Sequence, residues 1–159
     1  MKVIVIGPRG KMGKLITQVA AERDDMELVA GVAPAGRDYV GQDLGMVALI
    51  GRNLGVPVVD DLAAVIDDCD VIIDFSTREN ALKVLDLAVK HGKALVCGTT
   101  GFGEEEFARF KEAAKTIPML YAANTSKLVN IMNKLLEMVT KTLGEDADIE
   151  ILEMHDQWK

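Results

Sequence analysis

The chain has 159 residues and a formal net charge of −7, a length that suggests one domain and at most the start of a second. Hydrophobic residues make up 49% and charged residues 27%, the mix of a soluble globular protein, and no apolar run reaches the roughly 18 residues a membrane helix needs. The acidic balance argues against non-specific nucleic-acid binding, which needs a basic footprint, and a short apolar start followed at once by glycines is no signal peptide, which favours the cytoplasm.

The first element is an apolar strand, Val3-Ile4-Val5-Ile6. A glycine-rich turn comes next, and Met12, Leu15, Ile16, Val19 and Ala20 then recur at helix spacing. Residues 26–32 read as a second strand. Residues 33–55 hold Gly36, Gly41, Gly45, Gly51 and Gly55 and read as a long surface loop with one helical turn, of the kind that is often functional or mobile. Residues 56–59 read as a strand, and Asp61 caps a short helix through Ile66. Residues 71–75 form a buried strand. Ser76 and Glu79 form a capping box for a helix that reaches His91 and ends at Gly92. His91 reads as a cation at that helix's C-terminus, favourable to its dipole. Residues 94–97 read as a strand, 104–115 as a helix and 119–122 as a strand. Leu128, Ile131, Met132, Leu135, Leu136, Val139 and Leu143 mark one face of the longest helix, stopped by Gly144. Residues 148–154 read as a final strand. The two cysteines, Cys69 and Cys97, form no C-x-x-C pair and read as reduced, buried thiols, and the eight methionines read as core fillers. No metal site is read.

Repeated β-α alternation implies an α/β, Rossmann-type, doubly wound parallel sheet with right-handed crossovers. Gly7, Gly10 and Gly13 come after the first strand and open the first helix, the context that a dinucleotide fingerprint requires, although the spacing is G-x-x-G-x-x-G. A helix N-terminus offers unpaired N–H groups and the positive end of its dipole to a pyrophosphate. The second strand ends Val32-Ala33-Pro34, without the acid that usually holds the adenine ribose, while Arg9, Lys11 and Arg37 lie nearby. That combination suits a 2′-phosphate. Three further strand ends are small and polar: Asp74-Phe75-Ser76-Thr77, Gly98-Thr99-Thr100-Gly101-Phe102 and Ala122-Ala123-Asn124-Thr125-Ser126. Ligands of open α/β sheets bind beyond such ends, so all three are expected to face one crevice.

The glycine loop with Met12, the Asp74-Phe75-Ser76 strand end, the Gly98 to Phe102 stretch, Ala123-Asn124 with Ser126 and Asn130, and the end Glu150-Ile151-Leu152-Glu153-Met154-His155 with Lys159 together resemble the dihydrodipicolinate reductase family. The resemblance runs across the whole chain in order. It implies NADPH- or NADH-dependent reduction of 4-hydroxy-tetrahydrodipicolinate in the lysine and diaminopimelate route. It implies that Gly7, Pro8, Arg9, Gly10, Lys11, Met12, Gly13, Phe75, Ser76, Gly98, Thr99, Thr100, Ala122, Ala123, Asn124 and Thr125 contact the cofactor. It makes His155 and Lys159 the proton-handling pair, with Thr100 and Asp156 toward the substrate, and it implies a homotetramer built by a C-terminal domain. Residues 1–126 would be the dinucleotide-binding domain and 127–159 the start of an α+β substrate domain, the chain being incomplete. Three departures stand out: Asp156 replaces a second histidine, Lys127-Leu128-Val129 replaces a usual glycine, and the ribose acid is missing. A non-catalytic NAD(P)-binding module and a different small Rossmann reductase remain alternatives.

Overall fold

A computed structural model of the chain describes residues 1–152 and Met154. Its elements are β1 (Lys2–Ile6), α1 (Lys11–Ala21), β2 (Glu27–Val32), α2 (Leu44–Val47), β3 (Val58–Val59), β4 (Val71–Asp74), α3 (Arg78–His91), β5 (Ala94–Cys97), α4 (Glu104–Ala113), β6 (Met119–Tyr121) and α5 (Lys127–Leu143). The chain packs as two units, Met1–Ala123 and Asn124 onward.

All six strands join one parallel sheet in the order β3-β2-β1-β4-β5-β6. Helical crossovers cover both faces of such a sheet, so its central strands read as unbroken apolar runs. On β1 the alternation divides the core. Ile4 and Ile6 pack with Ile72, Leu85, Leu95 and Phe110 on one face, and Val3 and Val5 pack with Val71 and Ile16 on the other. The register sets Ile6 beside Val32 and Asp74, Asp74 beside Cys97, and Cys97 beside Tyr121. The carboxyl ends of five strands are therefore level, with the change of winding direction between β1 and β4.

Helix α1 turns its smallest residues inward. Gly13, Thr17 and Ala20 are buried, and Met12, Leu15 and Val19, expected on the inner face, stand outside at 38–58% exposure. The reason is backbone contact: a Cβ on Gly13 would lie 2.1 Å from the Gly7 carbonyl oxygen. A helix seated on a turn that closely needs a stripe of small residues there. Of the eight methionines, Met26 and Met119 pack partly buried against the core and the other six are exposed, so the reading of all eight as core fillers holds for two. The long connection after β2 is also more than surface loop. Leu44 and Val47 of α2 pack with Ala33 and Val58 in a second core, pinned by the Asp43 carboxylate, which accepts from the N–H groups of Gly45, Leu54, Gly55 and Val56.

Three further expectations need correcting. Residues 61–66 form turns and then a 3-10 helix, Ile66–Asp68, because so short a run cannot repay helix nucleation. The cap of α3 is Thr77, whose side chain accepts from Asn80 N, not Ser76. The Ser76 hydroxyl is taken by the Asn80 side chain at 3.0 Å. Residues 148–152 and Met154 form no strand. Leu152 and Met154 are 94% and 96% exposed, and an extended segment without a hydrogen-bonding neighbour is not stable as a strand. Cys69 and Cys97 are free and buried, as expected, and burial pushes the Cys97 thiol up to about 11. His91 ends α3 and meets Asp67 at 2.8 Å. Among the described residues no helix is long and apolar enough to cross a membrane, and no cluster of metal-ligating side chains occurs.

Candidate functional site

A cleft of about 670 Å³ opens at the level carboxyl ends of β2, β1 and β4. The glycine turn forms one wall, with Gly7 and Gly10 in the lining. Gly7 takes φ +66°, a conformation that costs a residue with a Cβ far more than glycine. Its carbonyl accepts from Gly10 N at 2.9 Å, which closes the turn just ahead of α1. Gly10 caps that helix in extended conformation with no side-chain hydrogen bond, and the first turn carries no acid. Neither the Gly10 cap nor a first-turn acid therefore meets the positive end of this helix dipole, which favours an anion there.

The β4 end supplies the facing wall through Phe75, Ser76 and Thr77. A Cβ on Gly98 would fall 1.9 Å from the Phe75 ring, so the glycine after β5 is what lets this ring take its place. Asp74 is fully buried. One carboxylate oxygen accepts from Ser76 N at 2.9 Å, which shapes the turn, and the other has no partner. Burial pushes this carboxyl above the usual carboxylate range, against the pull of its Ser76 hydrogen bonds. The third wall comes from the end of β2 and the segments just after β2 and β3: Val32, Ala33, Pro34, Ala35, Tyr39, Asp60 and Leu62.

Of the sequence-predicted residues, the structure brings Gly7, Gly10, Phe75 and Ser76 into this cleft. Pro8 is buried against β2, its ring about 3.0 Å from where a Gly31 Cβ would stand. Gly13 carries the helix–turn contact described above. Met12 lies on the outer side of α1, 38% exposed. Gly98, Thr99 and Thr100 come directly after β5, the strand next to β4. The Thr99 hydroxyl is buried without a partner, and Thr100 is exposed. Phe102 turns into an aromatic cluster, 4.7 Å from Phe110 and 6.0 Å from Tyr121, and so anchors the loop. Ala122 donates its N–H to the Cys97 carbonyl at 3.1 Å. In the second unit, the Asn124 side chain accepts from Ser126 N at 2.8 Å, the Asn130 amide donates to the Asn124 and Ser126 carbonyls, and Ser126 caps α5. His155, Asp156 and Lys159 lie outside the described residues.

Arg9 and Asp38 form an ion pair at 3.0 Å, so Arg9 already has a carboxylate partner. Lys11 is exposed. Three charged residues that sequence reasoning missed line the cleft: Asp60, Glu79 and Lys83. Lys83 and Glu79 sit on one face of α3, and helical spacing could have flagged them. Asp60 is the first residue past β3, a strand too short to read firmly.

Comparison with known proteins gives a consistent picture. The family model described as dihydrodipicolinate reductase, N-terminus, matches residues 1–125. The chain is 41% identical over 158 residues to the 4-hydroxy-tetrahydrodipicolinate reductase of Hahella chejuensis, a match covering 99% of this chain and 59% of that protein. It is 45% identical to the enzymes of that name from Pseudomonas fluorescens and Geobacter metallireducens, again over 59% of their length. The chain thus spans about three fifths of the curated relatives it matches. Among solved structures it resembles a dipicolinate-bound dihydrodipicolinate reductase from Paenisporosarcina sp. TG-14, with a TM-score of 0.72 at 26% identity, over 88% of this chain and 53% of that one.

Proposed function

The chain belongs to the dihydrodipicolinate reductase family, and from that premise we propose that Met1–Ala123 binds NADPH or NADH for the reduction of 4-hydroxy-tetrahydrodipicolinate. The observation that carries the reading is the cleft at the winding reversal, with an uncapped helix N-terminus on one side and the β4 end on the other. The residues fit the group. Gly10 leaves the approach to α1 open, since even a Cβ there would come within 3.2 Å of the Gly7 carbonyl oxygen. The apolar wall of buried Val32 and Ala33, exposed Pro34 and part-buried Tyr39 suits a flat heteroaromatic base, and Asp60 stands where a ribose hydroxyl could donate to it.

The cofactor supplies a hydride. This chain's part is to hold the pyrophosphate at α1, to keep water from the apolar side of the cleft, and to place the nicotinamide end toward the β4 and β5 ends, where Ser76, Thr99 and Thr100 stand. In the full-length protein His155 and Lys159 would handle the proton, as an imidazole suits transfer near neutral pH, with Thr100 and Asp156 toward the substrate. Asn124 onward begins the substrate and assembly domain of a cytoplasmic homotetramer in the lysine and diaminopimelate route.

Calorimetric titration of the 159-residue chain with NADPH and NADH tests the binding reading. At least one should bind with a stoichiometry of one. No heat with either at millimolar protein, from a chain whose circular dichroism shows it folded, would overturn it.

A further inference from the structure

We propose that Asp38 sets the balance between phosphorylated and unphosphorylated dinucleotide by competing with a 2′-phosphate for Arg9. The inference rests on the nucleotide-binding reading of the cleft.

Arg9 belongs to the glycine turn and Asp38 to the connection after β2, and their side chains meet at 3.0 Å. The Arg9 guanidinium also lies 5.0 Å over the ring of Tyr39. Tyr39 lines the cleft together with Gly10, Ala33, Pro34 and Ala35. Arg9 and Asp38 themselves do not line it, so the pair sits at the rim, on the side where β2 ends. Local hydrogen bonds hold Asp38 there: Gln42 donates to its carbonyl at 2.8 Å, and Val40 N donates to Arg37 O at 3.1 Å.

The connection therefore returns an acid to the edge of a β2 end that has none of its own. The pair is exposed, at 54% for Arg9 and 81% for Asp38, and an exposed pair is weak. A phosphate dianion is a stronger partner for a guanidinium than one solvated carboxylate. An unphosphorylated ribose leaves the pair intact. A 2′-phosphate must draw Arg9 away from Asp38 before it can use that guanidinium. Asp38 thus penalises the phosphorylated cofactor while leaving the other unaffected, and Tyr39 keeps the guanidinium at the rim in both states.

The test is the ratio of NADPH to NADH affinity in wild type, Asp38→Asn, Arg9→Gln and the double variant, by fluorescence or calorimetric titration. Asp38→Asn should raise the ratio about fivefold or more. In the Arg9→Gln background the same change should leave the ratio within about twofold, as expected when two groups act through each other. An unchanged ratio in Asp38→Asn would overturn the proposal while leaving the cleft reading intact. An equal rise with and without Arg9 would overturn competition through Arg9. Failure of the wild type to bind either nucleotide would overturn the cleft reading and this inference with it.

Discussion

Helices α1 and α4 both begin at a glycine in extended conformation, Gly10 at φ −68°, ψ 165° and Gly103 at φ −73°, ψ 171°. They differ in the charge of their first turns. The first turn of α4 carries Glu104, Glu105 and Glu106, and Glu106 reaches back to accept from Gly103 N at 2.9 Å. That helix meets its dipole with its own carboxylates. The first turn of α1 carries no acid, and at the position matching Glu106 it has Gly13, pressed on the Gly7 backbone. The α4 start carries its own carboxylates, and the α1 start has none in its first turn, which is the arrangement our reading of the cleft assigns to a ligand anion. A glycine before a helix is thus no sign of phosphate binding; the charge of the next three residues decides.

The largest expected effect breaks the α1 side of this comparison. Gly13→Ala places a Cβ 2.1 Å from Gly7 O and 2.9 Å from Pro8 Cα, both backbone atoms that cannot swing aside. The helix must lift from the turn, at about 2–4 kcal/mol, and nucleotide binding should fall with it. Urea denaturation measures the first and titration the second. A loss under about 1 kcal/mol would mean that the helix does not sit on the turn so closely.

The second change makes α1 resemble α4 without unseating it. Gly10→Asp supplies the missing carboxylate at the cap. Asp is a favoured N-cap, worth up to about 1 kcal/mol, which the tight 3.2 Å approach to Gly7 O partly offsets. Stability should stay within about 1 kcal/mol of wild type, yet affinity for NADPH and NADH should drop at least about tenfold, because the carboxylate occupies the anion's place. Unchanged affinity would show that the pyrophosphate docks elsewhere.

The same contrast explains how much was legible in the sequence. Parallel strands and long helices were readable because burial on both faces leaves unbroken apolar runs such as residues 3–6, and amphipathic α3 shows helical spacing. The glycine turn was readable from its place between β1 and α1. The inward face of α1 was not, because the expectation that large apolar residues point to the core fails where backbone contact demands small ones. Phe102 read as part of a polar binding stretch, but its ring anchors that stretch in the aromatic cluster with Phe110. Asp38 pairs with Arg9 from 29 residues away and Asp60 enters the cleft lining from the end of β3, so no local pattern marks them. Asp74 was visible as a residue type, but its burial and unshared oxygen depend on β1 and β5 closing over it.

The third prediction concerns α2, a helix start served by a carboxylate from the cap position. Burial opposes charge on Asp43, but the N–H groups of Leu54, Gly45, Gly55 and Val56 outweigh it and hold the carboxyl below the usual range. A folded-state pKa below the unfolded one means that protons favour the unfolded chain. The stabilisation is complete above the unfolded value of about 3.9 and is lost as pH falls through the folded value. Asp43→Asn removes the charge and one of the two acceptor oxygens at every pH and should cost about 1–2 kcal/mol near neutrality, shrinking toward zero in acid. Denaturation curves of both proteins at neutral pH and near pH 3 check the sign. A difference that grows in acid would contradict the charge on Asp43.

The smallest effect lies on the α4 side, and it guards the comparison against a trivial reading. Glu106 is held below the usual carboxylate range by the Gly103 N–H first, and then by Arg78, whose guanidinium lies 3.0 Å away. Glu106→Ala removes the returning cap and the pairing with Arg78, at the start of a helix that Phe110 and Ala113 still tie to the core. The melting temperature should fall by no more than about 2 °C, and more at neutral pH than in acid, where the native carboxylate is already protonated. Affinity for either nucleotide should stay within about twofold, because Glu106 touches no residue of the cleft lining except through α3. The vacated α4 start should also remain blind to inorganic phosphate, since Glu104 and Glu105 still hold the dipole's positive end. Phosphate protection of the Glu106→Ala variant against thermal unfolding, beyond that of wild type, would show that any glycine-capped helix in this chain recruits an anion once its cap is removed. The distinction between α1 and α4 would then rest on one side chain rather than on the charge of the whole first turn.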